Sequence, residues 1–522
     1  MLKNKLITQK IHNMKIQKLY PKHWLNYHPY KQTDDVDQYY TGIANQINRI
    51  LHTIGVNEDE DGYANMSLIL SAWFEDIISQ THIWETFTEE CQKRYGARLP
   101  FYPIGTDYIS DEINMEDVRF ILWHILQRQY EGDRIINPEN PGIRMAAEQI
   151  YALLSKEYET APENKRMQTY FHAPELGPKD FLTYRKRLEW FHYQCYFTAG
   201  NQEQLYDAIE EVQASNAIDD IEQLDILCYA QQVALPFRSR KNLLSLTSSE
   251  WLARIWKRNG SKAGPWETVE SLADNHYLYI EEDNSCIYLQ SLCGEIKTFA
   301  VDKESLNLNQ TRDLKPEQSI VSCMLVRYGE TWWQNGAMLV NDKTPQWDDI
   351  LQEQDHKMNP IHNRKAFEHF VQASGGKPFV YCRNKKELET FFREKMGYQI
   401  RTGMTFPEIG KSGALLMATP QTGLHIQLEL TECICSPDNP AYNREEAEAQ
   451  AFLFFVNPDV IPYELSCLLQ DKGLLPDACI NSLHGQQHGK ALLHNNACFL
   501  TDYYFHRYRE KDFKNSLLEK FL

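Results

Sequence analysis

The feature that most restricts the fold is a change of hydrophobic period part-way along the chain. Between residues 37 and 240 apolar side chains recur every three or four positions, as in Ile43, Ile47, Ile50, Leu51 and Ile54, and again in Phe181, Tyr184, Leu188, Phe191 and Cys195. Such spacing gathers them on one stripe of an amphipathic helix. Ile69–Ile78, Val118–Tyr130 and Ile143–Leu154 read as three more helices, set apart by breakers at Pro100–Gly105 and Asn137–Gly142. No period of 20–50 residues runs through them, so the reading is a helical bundle or array and not a solenoid. After the breaker-rich stretch Arg258–Pro265 the texture shifts to short β-branched and aromatic runs: His276–Glu281, Cys286–Leu292, Glu295–Val301, Ile320–Tyr328 and Thr331–Val340. Turn residues at Asp283-Asn284, Gly294 and Gly329 punctuate them, which predicts a small antiparallel barrel or curled sheet.

Helical spacing returns from His362, interrupted by a strand at Phe379–Cys382 and a hairpin-like pair at Ala414–Ala418 and Gly423–Leu430. The fold class is therefore α+β and multidomain. Its expected parts are an N-terminal extension (1–36), a helical domain (37–257), a five-stranded barrel-like β module (266–345) and an α+β domain (360–522). A chain of 522 residues exceeds one ordinary hydrophobic core, which agrees with such a division.

Charge narrows the partners. The chain holds 54 basic against 72 acidic residues, a net charge of −18, which repels a phosphate backbone unless basic side chains segregate on one face. Nucleic acid is thus not an expected partner, and a protein is. Lys3, Lys5, Lys10, Lys15 and Lys18 punctuate the first twenty residues, leaving no apolar core of the length a secretory signal needs. The apolar run Ala451–Val456 is far shorter than the ~20 residues that span a bilayer, so no membrane partner is expected. Twelve scattered cysteines form no dense framework and read as buried thiols of a reducing cytoplasm.

Five groups of residues are candidates for chemistry. Glu75 and Asp76, with Asp111, Glu112, Glu116 and Asp117, are clustered carboxylates of the kind that hold hard cations or pass protons. Asp117 and His124 fall two turns apart on one face of a helix that is apolar on both sides, so a carboxylate there needs partners. First-turn capping is the plainer account of Glu116 and Asp117. Glu189 and His192 make one Glu-x-x-His unit, which di-iron bundles use twice; a core histidine with its carboxylate gives the same pattern.

Cys479, His484, His488, His494, Cys498 and His506 are the densest nitrogen and sulfur ligands, with His494 and Cys498 at i,i+4 spacing on one expected helix face. Zinc is the cofactor they would suit. The pair Cys433 and Cys435 is a weaker candidate. Trp332 and Trp333 lie near a β turn, where one indole should face the core and the other a binding partner or a neighbouring element. Gly410-Lys-Ser-Gly413 lacks the full phosphate-loop frame, and no Gly-x-Ser-x-Gly elbow occurs.

Tyr20-Pro-Lys-His-Trp-Leu25, Trp73-Phe-Glu-Asp-Ile-Ile-Ser79, Leu99-Pro-Phe-Tyr102, Asp111–Phe120 and Ser482-Leu-His-Gly485 resemble phrases of an uncharacterised bacterial family, domain of unknown function 3843. The resemblance implies a bacterial cytoplasmic origin and carries over no catalytic residue. The leading expectation is a binding or scaffold protein without a recognisable active site. Its alternatives are a metal-dependent hydrolytic enzyme using the carboxylates near Asp117 or the C-terminal His/Cys group, and nucleic-acid binding through the β module.

Overall fold

The computed structural model describes residues 16–56, 59–129, 135–172, 176–215, 221–292, 296–306, 311–351, 360–398, 406–447, 450, 457–474, 486–509 and 518. The chain divides into two compact units: residues 1–131, 138–242 and 246–343 form the first, and residues 132–137, 243–245 and 344–522 the second.

The first unit opens with the short helix α1 (Pro21–Trp24), a 3₁₀ turn (Leu25–Tyr27) and two 20-residue helices, α2 (Asp35–Ile54) and α3 (Glu60–Ser79). Asp34 caps α2 by accepting from the Val36 and Asp37 N–H groups, and Gly55 ends it at φ 76°, a left-handed conformation that glycine adopts without a Cβ clash. Ile43, Ile47 and Leu51 bury its predicted stripe. Helix α3 is buried around most of its circumference, which is why it reads as nearly continuous apolar sequence between its carboxylates. Then follow α4 (Ile83–Tyr95), α5 (Met115–Gln129), α6 (Pro141–Glu157), α7 (Lys165–Phe171), α8 (Phe181–Gln194), α9 (Asn201–Ser215), α10 (Ile221–Arg238) and α11 (Ser248–Arg258).

The β runs close into a barrel. Its strands are β1 (Glu270–Glu282), β2 (Cys286–Ser291), β3 (Thr298–Asp302), β4 (Ser319–Tyr328) and β5 (Thr331–Asp342), in the order β1-β2-β3-β5-β4. All pairings are antiparallel except β3 with β5, where Val301 meets Trp332. A five-stranded closure of this kind is the architecture of small Greek-key barrels and fixes no ligand by itself. Tyr277, Ile287, Leu289, Val301, Val321 and Leu325 fill the interior. The barrel and the helices share the first unit: Asn335 donates to the Val233 carbonyl (2.9 Å), and at Gly336, with φ at 84°, a Cβ would fall 2.4 Å from a Val233 methyl. Only glycine lets β5 approach α10 so closely.

The second unit holds α12 (Pro360–Ala373), β6 (Phe379–Cys382), α13 (Lys385–Thr390), β7 (Ala414–Thr419), β8 (Gly423–Gln427), α14 (Tyr463–Asp471), α15 (Gln486–Asn495) and α16 (Ala497–Phe505). Its three strands form an antiparallel sheet in the order β6-β7-β8. Central β7 is buried at every position, and its alternation serves two cores: Leu415 and Met417 join Tyr463, Leu465 and Leu469, while Leu416 and Ala418 join Phe367, Phe370 and Leu388. The fold is α+β. Among the described residues no helix is long and apolar enough to cross a membrane.

Candidate functional site

Helix α3 places Glu75 and Asp76 in the interior of the first unit, at 2% and 3% exposure, so each must be neutralised or hydrogen-bonded. Glu75 meets His28 Nε2 at 2.8 Å and accepts from Asn164 Nδ2 at 2.7 Å. His28 Nδ1 lies 3.0 Å from the Trp24 carbonyl, an acceptor only, so that nitrogen carries a proton. A second proton must then sit between His28 and Glu75. Burial pulls the His28 pKa down, but the facing Glu75 carboxylate, with the Trp24 carbonyl and Asp37, outweighs it and leaves the pKa above the ordinary histidine value.

Asn164 also donates to the Tyr30 hydroxyl (2.7 Å), and its side-chain oxygen caps α7 through the Arg166 and Met167 N–H groups. Tyr30 donates to Asp37 (2.9 Å), which further accepts from the Trp24 indole (3.2 Å), the Asp34 N–H (2.8 Å) and Arg166 Nη2 (2.7 Å). The Arg166 guanidinium stacks 3.6 Å over the Tyr30 ring. Burial would raise the Asp37 pKa; Arg166 and the other donors win, and it is lowered. One polar network thus ties α1, α2, α3 and α7 together.

Asp76 is held separately. It accepts from Thr81 Oγ1 (2.5 Å), the Ile83 and Trp84 N–H groups (3.1 and 2.9 Å) and the Tyr196 hydroxyl (2.6 Å), so a residue from α3 caps the first turn of α4. Burial raises its pKa and these donors oppose the rise. Asp117, fully buried, accepts from Tyr108 (3.0 Å) and Asn114 Nδ2 (3.0 Å). Burial pushes its pKa up to about 7, opposed by those donors and by the Trp84 indole, whose N–H lies outside hydrogen-bond geometry. His124 stacks on Phe120, and burial lowers its pKa to about 3, which keeps it neutral. Asp111 and Glu112 are exposed and Glu116 is half-buried.

A cleft of about 610 Å³ opens in this unit. The segment Gln17–Lys31, the start of α3, and the end of α8 with the start of α9 form its walls. Side-chain amides (Asn26, Asn65, Gln194, Gln202) and tyrosines (Tyr27, Tyr193, Tyr206) dominate the lining, with Lys31 set against Asp61 and Glu203. Tyr27 donates to Asn65 across the floor. On its other side Tyr27 borders a cavity of about 10 Å³, room for one water, beside His28, Glu75, Asp76 and Tyr196. The 3₁₀ turn therefore faces the cleft with Tyr27 and the buried network with His28.

A family model described as a protein of unknown function (DUF3843) matches residues 18–295 and 328–506, most of the chain. The chain belongs to this family. No curated protein and no solved structure matches it. The stretch of this DUF3843 chain between the two matched segments, 296–327, carries β3 and most of β4. Of the phrases quoted above, Tyr20–Leu25 borders the cleft, Trp73–Ser79 supplies Glu75 and Asp76, and Asp111–Phe120 supplies Asn114 and Asp117.

The remaining candidates of the DUF3843 chain lie apart. Cys479 and His484 fall outside the described residues. His494 and Cys498 do not share a helix: Asn496 breaks the expected single helix into α15 and α16, and both side chains are exposed, as is His488. His506 ends α16 in a left-handed conformation (φ 53°). Among the described residues no group of three or more His, Cys, Asp or Glu side chains is placed to hold a metal ion. His192 is buried, with Nδ1 2.7 Å from Ser248 Oγ, whereas Glu189 turns to Arg185 (3.3 Å). Cys433 is buried and Cys435 exposed. Trp332 packs into the barrel against Phe299, and Trp333 is buried outside it on Phe181 of α8, so neither indole is a free stacking platform.

His28, Asn164 and Tyr27 were not legible as functional candidates. Their partners stand 47, 89 and 38 positions away, and no local pattern marks such pairs.

Proposed function

We propose that this protein is a binding or scaffold protein that works through the cleft of its first unit, with another protein as partner and the cytoplasm as its place of action. One observation carries the reading: a cleft within the ordinary ligand-site range of ~300–1,000 Å³ is lined by hydrogen-bonding side chains of nearly balanced charge. The buried carboxylates support it indirectly, because Glu75, Asp76 and Asp117 are each engaged by protein donors. A hydrolytic metal centre finds less support for the same reason. The barrel offers little to nucleic acid, since Glu281, Glu282 and Asp283 lie at the β1–β2 turn.

The test is quantitative affinity capture from the native cell with wild type and with the double substitution Asn26→Leu and Gln202→Leu, both at exposed positions. Partners lost by the variant at unchanged melting temperature support the proposal. An identical set of partners removes it.

A further inference from the structure

We infer that the ligand of the cleft is an extended polypeptide segment, recognised mainly at its main chain. This inference rests on the cleft reading and names its ligand class. The walls are helices, a 3₁₀ turn and irregular segments at Gln17–Leu19 and Lys31, with no β-strand among the lining residues, so a guest is gripped mainly by side chains and not by a strand edge. Asn26, Gln194 and Gln202 line it with side-chain amides, whose carbonyl and NH₂ group match the N–H and C=O that one residue of an extended chain turns to the same side; Asn65 adds an NH₂ group, its oxygen already accepting from the Tyr27 hydroxyl.

Gln17 adds a specific demand. It lines the cleft, and its side-chain oxygen is buried with no hydrogen-bond partner, an acceptor that a peptide N–H would satisfy. Leaving such an atom unmet costs roughly a hydrogen bond, so a donor is the group this end of the cleft calls for. Charge argues against a phosphate guest: Lys31 is offset by two carboxylates, and burial and the neighbouring Lys22 lower the pKa of His23, the other basic side chain in the lining; amides outnumber carboxylates by five to two, which favours peptide groups over the hydroxyl pairs that carboxylates chelate in saccharides. Tyr206, 57% exposed at the start of α9, supplies the flat amphipathic face on which peptide side chains rest.

Main-chain recognition makes a distinctive forecast, because affinity then follows the backbone more than the side chains. Fluorescein-labelled, uncharged decapeptides of scrambled sequence would be titrated into the intact protein and read by anisotropy, beside the same peptides N-methylated at alternate residues and labelled malto-oligosaccharides. The inference expects binding that varies less than ~5-fold between scrambled sequences and falls at least ~10-fold on N-methylation, each lost hydrogen bond being worth up to about that factor. Asn26→Leu with Gln202→Leu should weaken it at least as much, with an unchanged melting curve. Oligosaccharide binding that is abolished by the same double substitution would overturn the peptide inference and leave the cleft reading standing. If neither class binds and native partners are still captured by the double variant, both fall.

Discussion

The interior beneath the cleft and the C-terminal His/Cys run make opposite use of chemistry-bearing side chains. The C-terminal run is dense in sequence, yet His488, His494 and Cys498 end up exposed, with Asn496 breaking the helix between the last two. The interior of the first unit is sparse in sequence, yet His28, Asp37, Glu75 and Asn164 converge from four segments into one hydrogen-bonded network. Density along a chain is a poor guide to convergence in space. Burial supplies the better signal, because a charged group inside an apolar helix must be met by partners wherever they lie in the sequence.

The largest effect should come from breaking the buried network. Glu75→Ala leaves a buried His28 without its counter-charge and strips an acceptor from Asn164, and losing one partner of a buried pair costs about 3–5 kcal/mol. Denaturant titration checks this; a loss under ~1 kcal/mol would mean that the network is not holding α1, α3 and α7.

Asp117 should give an effect of similar size that depends on pH. Its pKa rises from an ordinary 3.8 to about 7 on folding, so the unfolded chain gives up this proton first as pH increases. The contribution is intact below about pH 4 and is lost as pH climbs through 7. Three units at ~1.36 kcal/mol each amount to about 4 kcal/mol. The stability of Asp117→Asn relative to wild type should therefore rise by about that amount between pH 4 and pH 8. A flat difference across that range would show the carboxylate to be ionised and fully solvated by its donors.

The smallest effect belongs to the C-terminal run. His494→Ala with Cys498→Ala, both exposed, should alter stability by less than ~0.5 kcal/mol with or without added zinc. Loss of a stoichiometric metal together with unfolding would restore the zinc reading and reverse the contrast between the two regions.

Much of the architecture was legible, for reasons of period. The stripes Ile43–Ile54 and Phe181–Cys195 became α2 and α8, and the five β runs became five strands, because both periodicities report which face is buried. Strand β1 begins at Glu270, six residues before the expected His276, since the run Glu270–Asn275 lacks clean alternation and its pairing with β4 is irregular between Leu272 and Asn275. The break at Asn496 was hidden because Leu492, Asn496, Phe499 and Tyr503 keep helical spacing straight through it. Asp117 was legible as a partnered carboxylate from its two-sided apolar helix. The cleft was not, because amides and tyrosines on separate elements leave no spacing to read.

The central claim is that the buried carboxylates hold the fold while the cleft does the binding, and Asp76→Asn tests both halves in one preparation. An asparagine there turns an NH₂ group toward donors that now meet a carboxylate, and Asp76 does not line the cleft. Melting temperature and capture of the native partners would be measured together, the latter well below the transition. The account predicts a melting temperature lowered by several degrees, at ~4–8 °C per kcal/mol for a small domain and less for a unit of this size, with partner capture unchanged. An unchanged melting temperature with capture or any activity abolished would contradict it, and would make Asp76 part of the working site.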